Sequence, residues 1–258
     1  MILKRKIYKK LLEWKNECQG KKALLIEGAR RIGKSTICEE FGKNEYESYL
    51  LIDFAKKDKE VEMYFERYLN DLDTFFMLLQ THFGTKLTER NSLIIFDEVQ
   101  MFPQARAAIK YLVADGRYDY IETGSLISIR ENVKNIVIPS EERNINMYPL
   151  DFEEFAIALE EDLLVEYIKK CFEKREPLER SMHNQAMLLF HQYMLVGGMP
   201  MPVVSFIESK KDFTEADKEK RDILKLYRED IMKIDMRYRS KVLAIYDQIP
   251  GFLSQHEK

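Results

Sequence analysis

"IEGARRIGKST", residues 26–36, follows the apolar run Ala23-Leu24-Leu25-Ile26 and carries Gly28, Gly33, Lys34 and Ser35 in the order G-x-x-x-x-G-K-S. Two glycines at this spacing let the backbone turn tightly and bring successive N–H groups around an anion. A lysine directly after them suits the β- and γ-phosphates of a nucleotide, and the next hydroxyl suits a Mg²⁺ ion. The stretch therefore predicts a strand, then a phosphate-binding loop of Gly28, Ala29, Arg30, Arg31, Ile32, Gly33, Lys34, Ser35 and Thr36. It also predicts a helix whose positive N-terminal end adds to the anion site. Such a loop needs an acidic partner downstream, because a glycine-rich turn can also be only a turn.

Leu93-Ile94-Ile95-Phe96-Asp97-Glu98 supplies that partner: four apolar residues make a buried strand that ends in two adjacent carboxylates. Successive side chains on an extended backbone point to opposite sides, so the two acids can do different work. Asp97 is expected to hold Mg²⁺ beside Ser35, directly or through water. Glu98 is expected to orient or deprotonate the water that attacks the γ-phosphate. Tyr120-Ile121-Glu122-Thr123-Gly124-Ser125 closes a further strand with small polar residues, of which Thr123 is the first choice, and Ser125 the second, to sense the γ-phosphate. A turn closed by hydroxyl hydrogen bonds is the competing reading there.

The rest of the first half alternates apolar runs with helical periodicity. Strands are expected at 23–27, 49–54, 92–97 and 118–123, with further extended pieces at 135–138 and 144–148. Helices are expected at 34–41 and 104–114, with one long helical region over 61–83. Alternation of this kind implies parallel pairing and a three-layer α/β sandwich with its ligand at the carboxyl ends of the strands. After Tyr148-Pro149-Leu150 the pattern becomes helical. The expected organisation is an ATPase-like domain over 1–150 and a mainly helical domain over 151–258.

With 258 residues, 45% apolar and 33% charged, the chain is long enough for one large core and an appendage. Residues 1–22 carry eight Lys or Arg against two Glu, a local charge of +6 within a chain of net charge −3. Ile7, Leu11, Trp14 and Cys18 recur there at helical spacing, which predicts an amphipathic helix rather than a secretory signal. Its basic face is the one place where nucleic acid has a plausible docking site, through phosphate contacts. No run approaches the ~18 apolar residues of a membrane span. Cys18, Cys38 and Cys171 are few, odd in number and without C-x-x-C spacing, which points to a reducing, cytoplasmic setting. His82, His183, His191 and His256 show no metal-ligand spacing, and the five basic and five acidic residues of 210–222 read as a solvated segment.

The motifs GARRIGKST, LIIFDEVQ, IETGS, YPLDFEEF and VGGMP, in that order, resemble the prokaryotic AAA-type ATPases whose P-loop domain precedes a C-terminal domain of unknown function. The resemblance spans nearly the whole chain, and its last two motifs make it the more specific. It implies an AAA-like core that uses ATP and Mg²⁺. Relatives of this kind continue well past a stretch like 249–253, so the resemblance also implies a shortened C-terminal portion. Arg143 stands where the resemblance would put a residue returning towards the nucleotide of its own subunit or a neighbour, although a structural ion pair is the stronger reading. Arg30 and Arg31 lie in the loop, and Arg228 is a weaker candidate.

Two functions remain open on the sequence. One is hydrolysis of ATP to ADP and phosphate coupled to movement of the helical domain. The other is a nucleotide-dependent switch or nucleic-acid-binding adaptor with little hydrolysis, acting with a protein partner or a second copy. Glu98 favours hydrolysis. A helicase, which Asp97-Glu98-Val99-Gln100 faintly resembles, normally needs a second ATPase lobe, and the sequence holds one phosphate loop.

Overall fold

The computed structural model describes residues 1–125, 140–232 and 234–255. Five strands form one sheet in the order β2-β3-β4-β1-β5: β1 (Ala23–Gly28), β2 (Ser48–Asp53), β3 (Ser92–Asp97), β4 (Asp119–Ser125) and β5 (Glu142–Asn146). Every neighbouring pair is parallel. β3 and β4 are buried along their whole length, as parallel strands covered on both faces are. In β3 that burial is why an unbroken apolar run, Leu93-Ile94-Ile95-Phe96, rather than an alternating one announced the strand.

On one face, α3 (Lys59–Tyr68), α4 (Leu72–Phe83) and α5 (Pro103–Asp115) cover the sheet with an aromatic core in which Phe65, Phe75, Phe76 and Phe96 are all buried. Phe65 packs edge-on against Phe75 at 5.0 Å and against Phe96 at 5.6 Å. On the other face lie α1 (Ile7–Cys18) and α2 (Lys34–Glu45), where Trp14 meets Phe41. α1 is the expected amphipathic helix, with Ile7, Leu11, Trp14 and Cys18 buried. Burying each large apolar side chain of this kind stabilises the fold by roughly 1.5–3 kcal/mol, and Trp14 also donates its indole N–H to the Lys22 carbonyl. The fold is thus the three-layer α/β sandwich that the sequence predicts.

Some elements differ from expectation in detail. The helical region over 61–83 is two helices, because Asp71 interrupts it and caps α4 by accepting from the Thr74 N–H at 3.2 Å. The last expected strand, at 144–148, begins two residues earlier, and the piece at 135–138 lies outside the described residues.

The chain divides into two compact units, residues 1–176 and 177–258. The change of character near residue 150 therefore marks the end of the strands, whereas the first unit runs on through α6 (Phe152–Ala158) and α7 (Asp162–Lys174). α6 opens on a capping box in which Asp151 accepts from the Glu154 N–H and Glu154 accepts from the Asp151 N–H. The second unit comprises α8 (Arg180–Val196), α9 (Pro200–Glu208), α10 (Phe213–Ile231) and α11 (Met236–Ser254). Within it, Gly197 ends α8 at φ +82° and Pro200 opens α9, so the VGGMP motif bends the chain by 119°. Ion pairs such as Arg221–Asp217 fit the solvated reading of the mixed-charge segment. Among the described residues no single helix is long and apolar enough to cross a membrane.

Candidate functional site

The loop between β1 and α2 lies at the carboxyl ends of the strands. Gly28 has to be glycine: a Cβ there would stand 2.4 Å from the Met147 carbonyl oxygen and 2.6 Å from the Ile32 side chain. Gly33 caps α2 at φ +88°, a conformation that side chains rarely adopt. Ile32 is buried and anchors the loop, while Ala29, Arg30, Arg31 and Thr36 are exposed. Lys34 is 5% exposed, and its ammonium donates to the carbonyls of Gly28 (3.1 Å) and Ala29 (2.9 Å). Burial lowers its pKa, and the Glu98 and Asp97 carboxylates pull it back up. A desolvated ammonium at the start of a helix is a strong site for a polyanion.

The structure brings Ser35 and Asp97 together across the sheet, 62 residues apart in sequence: the Ser35 hydroxyl lies 2.8 Å from both carboxylate oxygens of Asp97. Thr123, on β4 between them, donates its hydroxyl to Asp97 and accepts from the Glu98 backbone N–H at 3.2 Å. One hydroxyl therefore ties both acids together. Glu98 sits in the left-handed region at φ +52°, a conformation that non-glycine residues adopt mainly where surroundings impose it. Its carboxylate accepts from the Gln100 side-chain amide. Ser125, the second choice for the sensing role, pairs with Gly28 in the strand register.

Arg143 is not brought to this site. It pairs in register with Leu24, about four residues or roughly 13 Å from the loop end of β1, and it forms an ion pair with Glu17 of α1 at 2.7 Å. The ion-pair reading fits this placement, and contact with the nucleotide of its own subunit does not. Arg228 pairs with Asp247 at 2.6 Å within the second unit. Of the basic residues before β1, Arg5 pairs with Glu154, Lys6 with Asp151 and Glu153, and Lys15 with the Glu45 carbonyl, so among the described residues at least these three of the eight positive charges are engaged within the chain.

Sequence reasoning missed two features here. Arg5 donates to the loop carbonyl of Ile32 at 3.0 Å. On the α5 face of the sheet, Arg106 holds Glu142 in a buried bidentate pair at 3.0 and 2.8 Å. Next to it Glu122, which precedes Thr123, is fully buried. Burial and the neighbouring Glu142 charge push its carboxyl well above the ordinary carboxylate range. An acid in the middle of the expected strand at 118–123 was the available signal for it.

Among the described residues no group of three or more His, Cys, Asp or Glu could hold a metal ion by itself. Residues 20–156 match the family described as an AAA domain. No curated protein matches the chain. Among solved structures, domain III of the replication initiation protein DnaA from Thermotoga maritima is 14% identical, with 83% of this chain and 90% of that one covered and a TM-score of 0.41. PCH-2 from C. elegans is 12% identical, with 83% and 64% covered and a TM-score of 0.38. The STAND protein PH0952 of Pyrococcus horikoshii, which carries a tetratricopeptide repeat sensor, is 18% identical, with 88% and 34% covered and a TM-score of 0.43.

Proposed function

The chain belongs to the AAA domain family, and from that premise we propose that it binds MgATP and hydrolyses it to ADP and phosphate, with nucleotide state biasing the position of the helices that follow the sheet. The observation that carries the reading is the Ser35 hydroxyl against the Asp97 carboxylate, with Lys34 one residue away. A hydroxyl and one carboxylate are a donor set that fits Mg²⁺, whose remaining positions go to phosphate oxygens and water. Bound there, Mg²⁺ would neutralise charge on the β- and γ-phosphates. Lys34 would exchange its carbonyl acceptors for phosphate oxygens. Glu98 would take the proton of the attacking water, and Thr123 would hold the two acids in register.

A cavity of about 380 Å³ between residues 2–8 and α2 begins beside Ile37, two residues past Ser35, and continues to Glu40 and Asn44. It is suited to the base, with acceptor oxygens on Glu40 and Asn44 for the amino group of adenine. The helices after residue 150 are read as the C-terminal portion of the prokaryotic ATPases that the motifs resemble. A protein partner or second copy is the favoured reader of nucleotide state. Nucleic acid is less favoured, because Arg5, Lys6 and Lys15 already have partners within the chain.

One observation favours the slower switch as a second reading: Gln100 occupies an oxygen of Glu98, and a general base held as an acceptor must first be released. ATP turnover by the purified chain, measured with and without DNA and alongside its mass in solution, separates the two. Turnover near one per second supports hydrolysis. Tight MgATP binding with turnover a hundredfold slower supports the switch, and no binding ends both.

A further inference from the structure

The YPLDFEEF motif has no part in the chemistry assigned above, yet it is built against the phosphate loop. Met147 just before it donates its N–H to the Glu27 carbonyl at 2.8 Å, and its own carbonyl occupies the space where a Gly28 side chain would be. The segment therefore supports the start of the loop. Near the loop's other end the support comes through one side chain, Arg5. Its guanidinium donates to the Ile32 carbonyl at 3.0 Å, to the Tyr148 carbonyl at 2.6 Å and to the Glu154 carboxylate at 3.2 Å. The Arg5 and Glu154 side chains are only 6% and 7% exposed.

Glu154 is committed in turn. One of its oxygens also accepts from the Lys6 N–H at 2.6 Å, and the other accepts from the Asp151 N–H at 3.2 Å to complete the capping box of α6. A buried ion pair is a weak source of net stability, and its strongest general use is to fix one geometry. Here the geometry fixed is that of a peptide plane. The Ile32 carbonyl and the Gly33 N–H belong to the same planar trans unit and point in opposite directions. Holding the carbonyl towards Arg5 aims the Gly33 N–H away from Arg5. The fork of the guanidinium suits this task, since a lysine has one donor centre where three acceptors must be met.

We propose that Arg5 is a positioning residue for the phosphate loop, and that through Glu154 it couples the loop to the 148–154 segment and the start of α6. The proposal rests on the reading that the loop binds nucleotide phosphates, and it adds a route by which that event is felt outside the loop. Coupling of this kind is reciprocal: what steadies the loop steadies α6, and what loosens α6 weakens the loop's hold on an anion.

The test uses the full chain with Arg5→Lys, Glu154→Gln and the double variant, read by titration with labelled MgATP and by hydrogen exchange. Arg5→Lys is expected to weaken MgATP about tenfold, the scale of one lost hydrogen bond to a charged group. It should also speed exchange at the 32–34 amides before any nucleotide is added. Glu154→Gln should act in the same direction, and the double variant should be little worse than Arg5→Lys alone, because the two residues act as a unit. In the parent protein MgATP should slow exchange across residues 151–158, and in Arg5→Lys it should not. A lower melting temperature with unchanged affinity and unchanged loop exchange overturns the proposal, as do fully additive losses. If Arg5→Lys does not fold, Glu154→Gln carries the same two readouts. If the parent chain does not bind MgATP, the nucleotide reading fails, while exchange at 32–34 in the nucleotide-free variants still decides whether Arg5 sets the loop.

Discussion

The two ends of the sheet treat buried acids differently. At the end away from the loop, Asp119 accepts from the Tyr46 hydroxyl at 2.7 Å and from the Arg90 guanidinium at 2.9 Å. Burial and the Asp119 charge push the Tyr46 phenol upward, so it stays a donor at any physiological pH. At the loop end, Asp97 is met by the neutral hydroxyls of Ser35 and Thr123, while the Lys34 ammonium is directed to backbone carbonyls. An acid neutralised by a guanidinium is an anchor. An acid held by hydroxyls beside a separately held cation suits the proposed binding of a metal and a polyanion together, since hydroxyls can change partners without leaving a cation unpaired.

The sharpest way to break that contrast is at Lys34. Lys34→Ala removes the ammonium and leaves the glycines intact, so MgATP affinity should fall by about 100-fold or more, the loss of a charge-assisted contact to phosphate in a desolvated site. Direct titration with labelled nucleotide measures it. Affinity within a few-fold of the parent would return the loop to a turn.

The two acids can then be separated from each other. Glu98→Gln should retain MgATP and slow turnover by roughly 10²-fold, the usual contribution of a positioned general base. Asp97→Asn should weaken the Mg²⁺-dependent part of binding instead. Single-turnover kinetics with a Mg²⁺ titration distinguish these effects. Equal losses in both variants would mean that the pair acts only as a structural unit around Thr123.

The strand, loop and helix at the loop end of the sheet were legible because the residue types of the phosphate-loop reading lie at contiguous positions, and a buried parallel strand such as 92–97 advertises itself as an apolar run. What escaped notice depends on register and on distant partners. Arg143 looked able to return to the nucleotide until the β5 register set it opposite Leu24 rather than Gly28. Arg5 looked like one charge in a basic run, yet its acceptors lie 27, 143 and 149 residues away. The break in the 61–83 region was written locally in Asn70-Asp71, but continuous apolar periodicity on both sides hid it. Glu122 sat in plain view inside a buried strand, and its meaning came only with Arg106 and Glu142 folded beside it.

That cluster gives a subtler test of how acids are kept in this sheet. A carboxyl whose folded pKa is raised favours the folded state most below its ordinary value, about 4.3. The contribution is lost as pH rises through the raised folded value. Glu122→Gln mimics the protonated acid and cannot ionise. Its melting temperature should therefore match the parent's at pH 4 and fall less steeply towards pH 9. Parallel curves would mean that Glu122 is ionised in the fold, with Arg106 shared between it and Glu142.

The smallest expected effect is at the far end of the sheet, at Arg143. Its pair with Glu17 joins β5 to α1 near the surface, with side chains 41% and 61% exposed. The Glu17 hydrogen bond raises the arginine's pKa, but a guanidinium is charged throughout the accessible range, so no pH dependence follows from it. Exposed pairs contribute about 0.2–1 kcal/mol and are weakened by salt. Arg143→Ala should therefore cost less than about 1 kcal/mol in denaturant unfolding, and high salt should shrink the difference. MgATP affinity should be unchanged, because the residue stands at the wrong end of β1's neighbour for the phosphate loop. Turnover should be unchanged at any protein concentration if Arg143 is only an anchor. A loss of turnover that appears as protein concentration rises, with stability intact, would instead make Arg143 a residue donated to a neighbouring copy.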